Sequence, residues 1–294
     1  MLSAPPVQCR VLIDALTTGR RGSLIGTMAP AVVPDYLLID ISNSFTKLIP
    51  ATRDGLLGEP ARIPTAKLTA AAIRHAVGKA PFRRGVVLSS VVPDAEAAVA
   101  EFAESLRAES PGRRTSRLLK VSHKIKLGVA VDYPKPASIG GDRLANAAGA
   151  VAFYGAPAIV IDFGTAVTFD VLAAPLRIPT YVGGVIAPGL ESMTDYLYQR
   201  TALLPRINLC EPVNAIGKST VDAMLAGAVY GYRGLVRQIL EEIRRELKIG
   251  RRLHTVATGG YAELIAERLP EVHQVHPNLT LEGLRIIGNL NFRD

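Results

Sequence analysis

The 294-residue chain is 48% apolar, enough for real cores, and carries a formal charge of +8 with two cysteines, Cys9 and Cys210. The cysteines are too far apart for a metal spacing, the five histidines form no zinc pair, and Asp, Arg, Gly or Pro interrupts every apolar run before it reaches membrane-spanning length. The basic pairs Arg83-Arg84, Arg113-Arg114, Arg244-Arg245 and Arg251-Arg252 are dispersed and lack interleaved aromatics, so they read as solvated surface and no nucleic-acid partner is expected.

Residues 1–34 differ from the rest, with three Arg, one Asp and many small and hydroxyl residues. They read as a poorly ordered leader outside the fold, either a transit-like segment or the consequence of a start at Met28. From there the pattern alternates. Strands are expected at 36–42, 44–51, 85–92, 158–164, 166–173, 181–188 and 253–260, and helices at 65–79, 94–109, 142–155, 219–247, 261–269 and 281–290.

Two strands share a peculiarity. "YLLIDISNSFTK" (36–47) and "IVIDFGTAVTFD" (159–170) both run from apolar residues into an aspartate, Asp40 or Asp162, and then into small and hydroxyl residues. An unpaired carboxylate is costly inside a core, so each Asp belongs at a strand exit or beside a charged ligand. Each is followed by a tight turn and a second strand. Two such hairpins facing one another across a cleft could hold phosphates on backbone N–H groups and a cation between carboxylates and phosphates. A third cluster, Thr258-Gly259-Gly260, opens another strand exit to close approach. "AIGKST" (215–220) is not a phosphate loop, because Pro212 stands where the first glycine belongs and no good strand precedes it; Ser219 or Thr220 instead caps a helix.

Four stretches in order, "DISNS" (40–44), "GGDR" (140–143), "DFGTAVTFD" (162–170) and "GGVIAPGL" (183–190), make the chain resemble the type III pantothenate kinases of the acetate and sugar kinase/Hsp70/actin superfamily. The resemblance covers roughly residues 36 to 290. It implies an α/β fold of two similar ribonuclease H-like (actin-like ATPase) domains, mixed sheets flanked by helices, at 35–156 and 157–294 with a cleft between them. It implies transfer of the ATP γ-phosphate to the pantothenate hydroxyl, the first step of coenzyme A biosynthesis, by a cytoplasmic homodimer with its substrate pocket near the interface.

By the same resemblance Asp142 accepts the hydroxyl proton, and Tyr133, Gly140, Gly141, Arg143 and Thr220 contact pantothenate. Asp40, Ile41, Ser42, Asn43, Ser44, Phe45, Thr46, Lys47 and Thr165 line ATP. Asp40 lies near Mg2+, and Asp162 holds a monovalent cation, K+ or NH4+. One departure stands out: Ser42 occupies the family's turn glycine, where a side chain is expected to strain the backbone or crowd a phosphate. That leaves two alternatives open, a non-catalytic kinase-fold accessory protein and a kinase for another small alcohol.

Overall fold

In β1 (Tyr36–Ile41) side chains alternate between two buried layers, and that alternation organises the molecule. Tyr36 and Leu38 enter a central layer, whereas Leu37, Ile39 and Ile41 enter an outer one under α1 (Ala70–Val77) and α2 (Glu96–Glu109). The computed structural model describes residues 32–78, 81–109, 117–248 and 253–292. The leader expected at 1–34 therefore lies outside the described residues except for Val32, Val33 and Pro34, as do Cys9, Met28 and the pairs Arg113-Arg114 and Arg251-Arg252.

The remaining elements, in chain order, are β2 (Phe45–Ala51), β3 (Ala61–Pro64), β4 (Gly85–Ser90), β5 (Arg117–Lys120), β6 (Ala130–Val131), α3 (Gly141–Tyr154), β7 (Ala158–Phe163), β8 (Ala166–Ala173) and β9 (Thr180–Pro188). They continue with α4 (Leu190–Arg200), α5 (Thr220–Leu247), β10 (His254–Gly259), α6 (Ala262–Ala266), β11 (Gln274–Val275) and α7 (Leu279–Asn291). Among the described residues the strands form two mixed sheets, ordered β3-β2-β1-β4-β5 and β11-β10-β7-β8-β9-β6. The first sheet is repeated in the second: an antiparallel meander (β1-β2-β3, then β7-β8-β9) is extended by two parallel strands (β4-β5, then β10-β11). The two mixed sheets flanked by helices are the architecture expected from the sequence.

Helices α3 and α7 lie between the sheets and bury Leu144, Ala148, Leu284 and Ile287 against both. Truncating a residue so enclosed costs roughly 2–5 kcal/mol. The helices approach closely because glycines face the contact. A Cβ on Gly283 would overlap the Ala145 carbonyl, and one on Gly149 would stand 2.9 Å from the Leu279 carbonyl oxygen. α7 is pinned to the first sheet at its far end, where Asn289 accepts from Tyr36 Oη at 2.9 Å and donates to the Arg53 carbonyl at 2.9 Å, a carbonyl that Arg285 Nη1 also reaches.

Several boundaries differ from the sequence reading. The run 65–79 opens as a 3-10 turn, Thr65–Lys67, and α1 begins only at Ala70, because Thr69 is extended and its hydroxyl accepts from Ala72 N at 3.1 Å. Strands β3, β5, β6 and β11 have at most four residues each, too short for a periodicity to register. Helix α4 was missed because its apolar residues follow no buried stripe: Met193, Tyr196, Leu197 and Tyr198 are all exposed.

Gly283→Ala forces the two helix backbones apart and should lower the melting temperature by about 5 °C or more. Gly234→Ala, on exposed α5 surface where an added Cβ meets nothing within 4 Å, should instead hold or raise it through helix propensity. Thermal unfolding of the two variants checks the pair of opposite signs.

Candidate active site

Register places the acidic residues. In the alternation of β1, Asp40 follows Tyr36 and Leu38 onto the central face, and in β7 Asp162 follows Ala158 and Val160 onto the same layer. Cross-strand neighbours of Asp40 are Lys47 on β2 and Ser89 on β4. Those of Asp162 are Thr168 on β8 and Thr258 on β10. The hairpin tips meet, since Ser44 Oγ and Thr165 Oγ1 share a hydrogen bond at 3.2 Å. The second tip rests on the start of α4, where Gly189 N and Ser192 Oγ donate to the Thr165 carbonyl at 3.0 and 2.8 Å.

Helix α3 delivers Asp142 between the two aspartates. Its N-terminus abuts β4, so a Cβ on Gly141 would lie 3.3 Å from Ser89 Oγ. Gly140 keeps clear the space taken by the Asp142 carboxylate, into which a Cβ would intrude. One turn along α3, Asn146 Nδ2 donates to Asp162 Oδ2 at 3.1 Å, and Thr280 Oγ1 donates to Asn146 Oδ1 at 2.7 Å. Gly259, at φ +92, faces Asp162 from β10; a Cβ there would sit 2.5 Å from Asp162 Oδ1, so the position needs glycine on both counts.

The carboxylates feel one another. Burial, with the charge of Asp142 next, pushes the Asp40 carboxyl up to about 7. Burial also raises Asp162, again with Asp142 contributing, and Lys47 lowers both. Asp142 is raised by burial as well, against the pull of the Arg143 backbone N–H, which donates to Asp142 Oδ1 at 2.8 Å, and of the Arg143 charge. Asp40 Oδ1 is buried and has no hydrogen-bond partner among the described residues.

A polar and aromatic pocket wall adjoins this mouth. Arg143 Nε donates to Asp170 Oδ1 at 2.6 Å, and Tyr181 Oη donates to the same oxygen at 3.1 Å. Tyr133, in the loop after β6, packs edge-on against Tyr181 with ring centroids 6.2 Å apart. Thus Asp40, Lys47, Asp142, Asp162, Ser44 and Thr165 converge, with Tyr133, Gly140, Gly141 and Arg143 beside them. The side chains of Ile41 and Thr46 turn away: Ile41 enters the outer layer, and the Thr46 hydroxyl pairs with Thr65 Oγ1 at 3.2 Å. Asn43 and Phe45 are exposed at the turn, Phe45 beneath the Arg62 guanidinium at 4.5 Å.

Thr220 stands apart. It begins α5 and lines an apolar groove of about 840 Å³ between α4 and α5, with Met193, Tyr196 and Leu197. The strain expected at Ser42 is not found: Leu176, Arg177 and Lys248 are the positive-φ non-glycine residues among those described, and Ser42 Oγ donates to Asp40 Oδ2 at 3.2 Å. Sequence reasoning passed over Asn146, Asp170 and Tyr181 as site residues and named Gly259 only within a glycine cluster open to close approach. The signal for Asn146 was its place four residues after Asp142, hence on the same helical face. Asp170 was visible as the last residue of "DFGTAVTFD".

Comparison with known proteins agrees with this geometry. The family model for type III pantothenate kinase matches residues 36–242. A type III pantothenate kinase of Akkermansia muciniphila is 47% identical over 260 residues, covering 87% of this chain and 99% of the relative. One of Methylacidiphilum infernorum is 40% identical over 254 residues, covering 86% and 88%. Among solved structures, a Sinorhizobium meliloti protein provisionally assigned as a 2-dehydro-3-deoxygalactonokinase aligns with a TM-score of 0.54 at 15% identity, over 86% of this chain and 97% of that one, and shares the fold. These matches show that the chain belongs to the type III pantothenate kinase family and is an ATP-dependent pantothenate kinase.

Proposed function

We propose that the mouth between the two hairpins is the phosphoryl-transfer centre and that Asp142 accepts the proton of the pantothenate hydroxyl. The observation that carries this reading is the convergence of Asp40, Asp142 and Asp162, from three separate elements, beside two touching turns rich in hydroxyls. Phosphoryl transfer asks for positioning and charge neutralisation more than covalent help. Asp142, raised by burial, is a stronger base than a solvated carboxylate. It orients the hydroxyl and takes its proton as the oxygen attacks the γ-phosphorus. The bond from that phosphorus to the bridging oxygen breaks, and its electron pair leaves with ADP.

The turn residues Asn43, Ser44 and Thr165 offer polar groups to the phosphates and Lys47 adds positive charge, while Ser42 shapes the turn, its N–H donating to the Phe45 carbonyl and its hydroxyl to Asp40. Ile41, Phe45 and Thr46 contribute backbone rather than side chains. Arg143 takes the pantothenate carboxylate, with Tyr133, Gly140 and Gly141 around it. Asp40 fits a divalent cation, Mg2+, because its Oδ1 is buried without a partner and a nearby positive charge restores the ionised form. Among the described residues no group of three or more acidic, His or Cys side chains is placed to hold a metal, which suits an ion carried largely by ATP oxygens and water. Asp162 Oδ1 has no hydrogen bond among the described residues and suits K+ or NH4+. When bound, the divalent ion supplies neutralisation of phosphate charge.

The active form in this reading is a homodimer. α4 presents Met193, Tyr196 and Leu197, with Tyr196 at 60% exposure, on the groove that Thr220 lines, an apolar face that a second copy would cover. Thr220 then reaches pantothenate from that copy. No helix among the described residues is long and apolar enough to cross a membrane, and ATP as cosubstrate puts the reading's site of action in the cytoplasm.

With ATP, Mg2+, K+ and pantothenate supplied, Asp142→Asn should lower kcat by about 10²–10⁴ while the melting temperature holds, since Asn keeps the shape and removes a buried charge. A variant retaining most of its phosphopantothenate production sinks the role. Leu197→Glu should give a monomer by analytical ultracentrifugation and lose most of its activity.

Asp40 makes a pH prediction. Its folded-state carboxyl, at about 7, lies above the ordinary 3.8, so its contribution to stability is complete below about pH 4 and is lost as pH rises through about 7. Without added nucleotide, Asp40→Asn should therefore melt a few degrees above the parent at pH 8, with the gap closing towards pH 5. Mg-ATP should raise the parent's melting temperature and leave the variant's where it was.

A further inference from the structure

Asp170, on β8, is fully buried, and its Oδ2 has no hydrogen-bond partner among the described residues. Its other oxygen takes both donors in reach, Arg143 Nε at 2.6 Å and Tyr181 Oη at 3.1 Å. The bond to Arg143 is made at Nε and not at the outer end of the guanidinium. An arginine held this way is fixed about its last torsions and keeps both Nη groups for a second anion. Neither Nη of Arg143 has a hydrogen-bond partner among the described residues.

Other contacts fix the guanidinium plane. Its carbon lies 5.7 Å from the centre of the Tyr181 ring. Gly184, on β9, gives it clearance, since a Cβ there would stand 2.7 Å from Arg143 Nη2 and overlap the Phe169 carbonyl. A carboxylate placed at such depth is costly unless its partner needs it. The charge-pairing need of Arg143 would be met by an exposed acid; its orientation needs one behind it.

We propose that Asp170 is a positioning residue that aims the Arg143 fork at the substrate's carboxylate, and so selects an acid over a neutral analogue. This rests on the reading of Arg143 as the carboxylate-binding residue, and the test separates the two. Steady-state kinetics would be run with pantothenate and with the analogue whose carboxylate is reduced to CH2OH, which keeps the acceptor hydroxyl.

Asp170→Asn should lower the ratio of kcat/KM for the acid to kcat/KM for the analogue by about tenfold or more, the scale of a lost charge-assisted contact. The loss should appear in the KM for pantothenate rather than in kcat. An equal loss on both substrates, or no loss on either, overturns the proposal. Arg143→Ala is the control: if it also weakens both substrates alike, the reading of Arg143 fails too, whereas a selective Arg143→Ala beside an unselective Asp170→Asn sinks the Asp170 role alone. Should Asp170→Asn fail to fold, Tyr181→Phe, which keeps the ion pair and deletes the second donor, decides by the same ratio: a selective fall supports the proposal and a ratio at the parent's value overturns it.

Discussion

Like charges crowded out of water set the terms for everything else in this molecule. Asp40, Asp142 and Asp162 are all raised by burial, and the charge of Asp142 adds to the effect on the other two. Three such carboxylates cannot all ionise cheaply with Lys47 beside two of them and Arg143 beside the third. The fold nevertheless delivers them there by register and helix placement, from β1, α3 and β7. An arrangement that costs stability by itself and gains from cations and phosphates is what differential binding requires. In the proposed reading the binding energy of a metal-nucleotide is returned partly as relief of repulsion, and the proposed base, Asp142, owes its raised carboxyl to burial.

The repeated sheet explains how one chain supplies two acidic hairpins, and the two copies differ in what surrounds each aspartate. Asp40 is flanked across the strands by Lys47 and Ser89, and Asp162 by Thr168 and Thr258. A lysine opposite the first aspartate suits a polyanion. Threonines flank the second across the strands, with Asn146 donating to it, a neutral set of direct neighbours that suits a small monovalent cation in the proposed reading. The two copies also exchange support. α3 follows the first sheet in sequence yet carries Asn146 to Asp162 of the second, and α7 follows the second sheet yet packs against Tyr36 of the first. The glycine contact between α3 and α7 thus lies next to Asn146, the residue that donates to Asp162.

Much of this was legible in the residues. An apolar strand ending in Asp and hydroxyls, used twice, pointed to two facing hairpins, and Ser44 meeting Thr165 is that juxtaposition in atoms. The long periodic stretch from Thr220 to Leu247 reads as helix because it buries Leu225, Val229, Val236 and Leu240 along one face. What escaped has physical reasons. Two- and four-residue strands owe their existence to a neighbour's edge and not to their own pattern. The charge pair of Arg143 and Asp170 joins residues from a helix and a strand of different halves, which no local spacing encodes. Ser42 looked like a strained substitution, yet the turn it occupies has an ordinary backbone, so the glycine usual in the family is not demanded by φ in this chain.

Helix α4 carries the most instructive omission. Its sequence, LESMTDYLYQR, places Met193, Tyr196, Leu197 and Tyr198 on more than one side, and a helix read for a single buried stripe fails on it. One side is accounted for within the chain, where Leu190 and Thr194 are buried. The remainder includes apolar surface facing the groove of α5. A pattern that makes no sense against one chain makes sense against two: the helix has a stripe for its own core and another for the partner that the proposed dimer supplies. The proposed role of Thr220 follows the same step: it lines that groove, so in the proposed dimer it would serve the site of the second copy.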